Sequence, residues 1–194
     1  MTEKQRQDFD DYGIVIDYIP PGVDRSVFEP IAHIIGTRTF TLLEVVLKDN
    51  VFLTIGDEVY IGPEKREHVK FIRRRISYDE LSSAAKEELR YILFRLVRKN
   101  EKTYVDFFNN AQSITPKRHQ LELLPGVGKR LLQRILDERE KGPFKSFEDI
   151  EKRTGIKNVA ELIVNRIIIE LSGGDKYNLF VKQPQKRKAP RSAK

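Results

Sequence analysis

Residues 121–140 read LELLPGVGKRLLQRILDERE, and this stretch decides how the second half of the chain folds. Leu121 and Leu124 end one helix, Pro125-Gly126-Val127-Gly128 makes a tight turn, and Leu131, Leu132, Ile135 and Leu136 form the apolar face of the next helix. Two glycines around one apolar residue let the backbone reverse sharply. Val127 points inward and pins the two helices. The turn exposes amide N–H groups at the start of a helix, and these, with the positive end of the helix dipole, make an anion site. Lys129 and Arg130 stand in the first turn, within reach of a phosphate, and Arg134 follows one turn beyond Arg130 on the same side.

The stretch closely resembles the helix-hairpin-helix motif of DNA repair, recombination and DNA-uptake proteins. The resemblance implies that hairpin amides clamp a backbone phosphate and read no bases, and it carries over to Gly126, Val127, Gly128, Lys129 and Arg130. It continues through KGPFKSFEDI, where Gly142-Pro143 ends the second helix and Ser146 with Asp149 forms a capping pair for a third. Leu132 departs from the family, which usually has a small residue at the helix crossing. A second, degenerate hairpin is expected at Arg153-Thr154-Gly155-Ile156-Lys157-Asn158. Gly155 and Ile156 match, while Lys157 or Asn158 replaces the second glycine. Asparagine tolerates the left-handed conformation, so the turn survives. Paired hairpins in this family form a compact four- or five-helix unit in which one is often structural, and the second is expected to be structural here.

Working back toward the N-terminus, residues 12–78 read as strands. YGIVIDYI ends at Pro20-Pro21-Gly22; IAHIIG and TFTLLEVVL are rich in β-branched and aromatic residues; Lys48-Asp49-Asn50 connects to VFL; DEVYIG and HVKFIRRRI alternate. In the last of these, Val69, Phe71 and Arg73 fall on one face and Lys70, Ile72 and Arg74 on the other. Five or six short strands suggest a small closed barrel, and the GDxVxIG stretch resembles those of OB-type barrels. Lys70, Arg73, Arg74 and Arg75 around Phe71 form a basic stripe of the kind an OB-type nucleic-acid face carries, although a lone phenylalanine on a strand is more often core. Connecting helices fill 79–112. Ser82 or Ser83 caps the first, whose stripe is Leu89, Ile92, Leu93, Leu96 and Val97. Thr115-Pro116 reads as a helix start, with helix from there to about Leu171, where Ser172-Gly173-Gly174 stops it. The expected fold thus joins two units, an all-β, OB-like small barrel followed by an all-α helix-hairpin-helix domain at 113–181. Residues 1–11 are expected to be a disordered N-terminus.

Charge agrees with a polyanion partner. The net charge is +7, and Lys182–Lys194, read as a basic disordered tail, holds six cations (Lys182, Lys186, Arg187, Lys188, Arg191 and Lys194) and no acid. The body is nearly neutral. With no cysteine there is no disulfide framework, thiolate metal site or cysteine nucleophile. His33, His68 and His119 sit in no metal-ligand spacing, and no P-loop, nucleophile elbow or HExxH occurs. DNA glycosylases share the hairpin, but the lysine of the lyases among them is here Arg130, and iron–sulfur cysteines are absent. The expectation is no enzyme, no metal, no cofactor and no small-molecule substrate. The polar N-terminus lacks a secretory h-region and no apolar run spans a bilayer, which points to a cytoplasmic protein without a membrane partner. High charge, no cysteine or tryptophan and one methionine fit a heat-adapted source.

Over its full length the chain also resembles an archaeal family of unknown function (domain of unknown function 655). That family joins an N-terminal barrel to a C-terminal helix-hairpin-helix unit and is labelled predicted RNA-binding. The functional expectation is therefore backbone binding of nucleic acid, RNA slightly favoured over DNA. The alternative is an adaptor in a ribosomal, transcription or repair complex whose hairpin is structural.

Overall fold

The computed structural model describes residues 9–22 and 28–182. Five strands form one antiparallel sheet in the order β4-β1-β2-β3-β5: β1 (Tyr12–Ile19), β2 (Ile31–Gly36), β3 (Leu42–Leu47), β4 (Glu58–Tyr60) and β5 (Val69–Arg75). β1 to β3 run as a meander; β4 adds beside β1, and β5 beside β3. Among the described residues the outer strands β4 and β5 do not pair. The sheet is an open, strongly curled half-barrel, and the closed OB-like barrel expected from the strand count is not what forms. β4 is three residues long, and Gly62-Pro63 follows closely, where proline offers no amide to extend a ladder.

β5 differs from its expected alternation. It pairs with β3 as Leu47↔Val69, Val46↔Phe71, Val45↔Ile72 and Glu44↔Arg74, so Lys70 and Arg73 are the extra residues of two bulges. The bulges put Val69 and Ile72 against the same core and leave Phe71, expected in the core, 41% exposed. VFL is not a strand: Val51 and Leu53 lean on the sheet while Phe52 is exposed.

β2 and β3 are buried along their whole length because both faces of the sheet are covered. Val15, Ala32, Ile34, Leu43, Val45 and Leu47 fill the inside of the curl. On the outer face Ile16, Ile35 and Leu42 join the core of the helices. Helix α1 (Ser83–Lys99) starts at Ser82, whose hydroxyl accepts the Ala85 amide at 3.1 Å. Its buried stripe of Leu89, Ile92, Leu93, Leu96 and Val97 packs on both β1 and the last helix, welding the two halves into one core.

Helix α2 (Glu101–Asn110) follows. Thr115-Pro116 does not start a helix. Ser113–Thr115 (β6) and Arg118–His119 (β7) form a two-stranded ribbon with Pro116-Lys117 at its turn. Proline disfavours helical backbone in the residue before it, which suits an extended Thr115. Gln120 closes the ribbon, its amide donating to the Gln112 carbonyl and its side-chain oxygen accepting the Gln112 amide. Beyond the turn at 125–128 come α3 (Lys129–Glu140), α4 (Phe147–Thr154) and α5 (Val159–Leu171).

Both ends of the described chain return to the sheet. Asp10, at a position expected to be disordered, is buried, and its carboxylate accepts the amides of Arg38 at 2.6 Å and Thr39 at 2.9 Å. After α5 the chain runs back as a strap whose Lys182 amide donates to the Thr39 carbonyl at 3.1 Å.

Candidate nucleic-acid interface

The segment before the hairpin is one 3-10 turn, Gln120–Leu123, rather than a full helix. His119 caps it: Nδ1 accepts the Leu121 amide at 3.1 Å, and Glu122 returns a carboxylate to the His119 amide at 2.7 Å. Burial, then the nearby Arg139 guanidinium, pulls His119 below its usual pKa, which keeps that acceptor unprotonated at neutral pH. Arg166 holds the Leu123 carbonyl from beneath at 2.9 Å. Neither His119 nor Arg166 stood out in the sequence as support for the hairpin, because both lie outside the motif.

Leu124 is extended, as a residue before proline should be, and Gly126 takes a left-handed φ of +84°. The Val127 amide donates to the Leu124 carbonyl at 3.1 Å, and its side chain is buried in the helical core, pinning the turn as expected. Gly128 then caps α3 with an extended backbone and no side chain to occupy the amides beyond it. The amides of Lys129, Arg130 and Leu131, in the first turn, have no intrahelical acceptor. No acid stands in that turn. Lys129 and Arg130 are exposed, and among the described residues neither forms an ion pair. Leu132 is partly buried against the core.

The second turn is built on the same plan and is closed from within. Gly155 takes φ +80° at the end of α4, and Ile156 is buried. There the Glu151 carboxylate accepts the Val159 amide at 2.9 Å, and the Asn158 side chain accepts the Glu161 amide at 3.0 Å. The protein's own oxygens thus occupy the start of α5, where an outside anion would sit. Arg153 is likewise turned inward, donating to the Gly142 carbonyl at 2.9 Å and lying over the Phe144 ring. Arg134 bridges the two turns: one guanidinium nitrogen donates to the Thr154 carbonyl at 3.1 Å, so it braces the second hairpin from the first.

The β5 cations are mostly paired. Lys70 meets Glu29 at 2.5 Å, Arg73 lies 3.6 Å from Glu44, and Arg74 bonds Glu44 at 3.2 Å and also Glu80. Arg75 forms no ion pair among the described residues. The structure therefore does not bring Lys70 and Arg73–Arg75 to the hairpin as one surface of free charge. Lys186, Arg187, Lys188 and Arg191 lie outside the described residues. Among the described residues no helix is long and apolar enough to cross a membrane.

Known proteins place this arrangement in a family. A family model described as a protein of unknown function (DUF655) matches residues 9–182. The uncharacterized protein MJ0038 of Methanocaldococcus jannaschii is 43% identical over 178 residues, covering 91% of this chain and 82% of the relative. The crystal structure of Af1531 from Archaeoglobus fulgidus, described under the same family, superposes with a TM-score of 0.82 at 46% identity, covering 89% of this chain and all of that one. The chain belongs to the archaeal DUF655 family.

Proposed function

We propose that this protein binds nucleic acid without catalysing a reaction, holding a backbone phosphate at the turn Gly126–Arg130. The observation that carries the reading is the contrast between its two hairpins. The second has its amides answered by Glu151 and Asn158. The first begins at a bare glycine, without acids, beside two cations that pair with no acid among the described residues. An acceptor from outside is what such a turn lacks, and a phosphate supplies both oxygens and charge. The exposed Phe71 on the sheet supports a partner with unpaired bases, so RNA is favoured over duplex DNA. Phosphate contact alone does not read sequence.

The test is equilibrium binding of the full chain to labelled RNA and DNA across a salt series. Lys129→Ala with Arg130→Ala leaves the fold intact and should weaken binding by about 1–3 kcal/mol, the size of two charge-assisted hydrogen bonds. The log–log salt slope should fall by about two. Glu151→Gln, at the second turn, should leave affinity unchanged. A double alanine that binds as well as the parent makes the hairpin structural. The exposed Phe28 and Phe52 then favour the second reading, an adaptor that docks on protein.

A further inference from the structure

Where a closed barrel would have its last ladder, this sheet has a cleft of about 580 Å³ between β4 and β5. That is large enough for a small organic ligand. Its walls combine aromatic rings and arginines with three acids, Asp10, Asp11 and Glu64. Phe9 is 55% exposed and Tyr12 47%, though both are large rings. Tyr12 stands edge-on to Tyr60 at 5.3 Å, which fixes its plane. Across the cleft, Ile72 and Arg75 come from β5. Arg75 pairs in register with Leu43, a residue of the inner core.

The rings are held there by the residues between them. Asp10 is locked to the Arg38 and Thr39 amides. The Asp11 carbonyl accepts the amides of Ile61 at 2.8 Å and Gly62 at 3.2 Å. Phe9 and Tyr12, on either side of these two anchors, line the cleft with their rings exposed. Thr39, which also lines the cleft, accepts the Lys182 amide on its carbonyl.

We propose that the cleft at the open seam of the sheet takes one unpaired nucleotide of a single-stranded nucleic acid, its base against Tyr12 and Phe9 and its phosphate at Arg75. Exposed rings accept any base by stacking, and Arg75, which pairs with no carboxylate among the described residues, answers the adjoining phosphate. A base in a duplex is already stacked on both faces and cannot enter. This inference rests on the nucleic-acid reading but concerns a different surface from the hairpin, which needs no unpaired base.

The test uses the full chain with two fluorescent probes, a single-stranded 12-mer of uridine carrying 4-thiouridine and a blunt RNA duplex. Phe9→Ala and Arg75→Ala, both at exposed positions, should each weaken single-strand binding by about tenfold and leave duplex binding within twofold. Tyr12→Leu keeps apolar bulk at that position and should behave alike, with circular dichroism and thermal melting confirming the fold. Ultraviolet crosslinking followed by peptide mass spectrometry should place thiouridine on residues 9–12 or 60–64. Single-strand affinity within twofold of the parent for both exposed variants overturns the proposal, as does crosslinking confined to the hairpin or the tail. Uridine monophosphate competing as well per site as the 12-mer also overturns it, making the cleft a small-molecule pocket. If the hairpin double alanine alone abolishes both probes, the cleft falls and the general reading stands. A parent that binds neither probe removes both.

Discussion

A Cβ added at Gly128 would meet no heavy atom of the described residues within 4 Å, and its backbone is one that any residue adopts. Nothing internal calls for glycine there. Gly126 is different: its φ of +84° costs an L-residue about 1–2 kcal/mol. This separates stability from binding. Gly128→Ser supplies the missing cap, worth about 0.3 kcal/mol over glycine, and stiffens the unfolded chain, so together it should stabilise the fold by about 0.5–1 kcal/mol. It should also weaken nucleic-acid binding, because the hydroxyl takes an amide of Arg130 or Leu131. Thermal melts and titrations on one preparation check both signs; a variant that gains stability and loses no affinity argues against phosphate at this turn. Glu80 offers a pH test at the same scale. The Ser77 amide first, then the Arg74 guanidinium and the Ser77 hydroxyl, hold its carboxyl down to about 2 from an ordinary 4.5. A depressed carboxyl stabilises the fold above its unfolded value, and that contribution fades as pH falls through the folded one. The melting-point gap between the parent and Glu80→Gln should therefore be widest at neutral pH and close by about pH 2.

Among elements, the strap after α5 depends on one buried pair. Glu170 accepts Arg166 Nε at 2.7 Å and the amides of Leu179, Phe180 and Val181 between 2.7 and 2.9 Å. Arg166 also reaches Asp175, whose carboxyl it holds below the usual range, and the Leu123 carbonyl beside the hairpin. Arg166→Met should cost about 3–5 kcal/mol in urea unfolding, because a buried carboxylate loses its countercharge. The end of the same α5 was legible in sequence from its stop at Ser172-Gly173-Gly174, and β1, β2 and β3 from their β-branched and aromatic runs. Elements decided by distant partners were not. Thr115-Pro116 satisfies the local rules for a helix start, and the pairing of 113–115 with 118–119, closed by the bonds between Gln112 and Gln120, settles it as a ribbon. Phe71 leaves the core because two bulges interrupt a strand whose composition suggests none. Barrel closure turned on whether β4 and β5 meet, and no residue in either states that. At the site, Gly126, Val127, Gly128, Lys129 and Arg130 were legible as a motif. The bond from exposed Arg134 to the Thr154 carbonyl lies outside what the motif states.

On the scale of the whole molecule, the hairpin and the cationic tail should bind by different physics. Residues 183–194 carry five cations. Deleting them should flatten the salt slope by up to about four on duplex, through counterion release, while the hairpin's ordered contact remains. Titration of the truncated chain from low to high salt measures this; an unchanged slope means that the tail does not engage phosphate. The turn around Thr39 has a further consequence. Asp10 and Lys182, 172 positions apart in sequence, are fastened to that one turn, so the described chain closes on itself. Tension applied between those residues would load the Thr39 turn directly, leaving the helical hairpins outside the line of force. Circular permutation should also be tolerated: a short linker between the ends, with new termini opened at exposed Lys117, would cut the ribbon's turn and spare the contacts that hold both ends to the sheet.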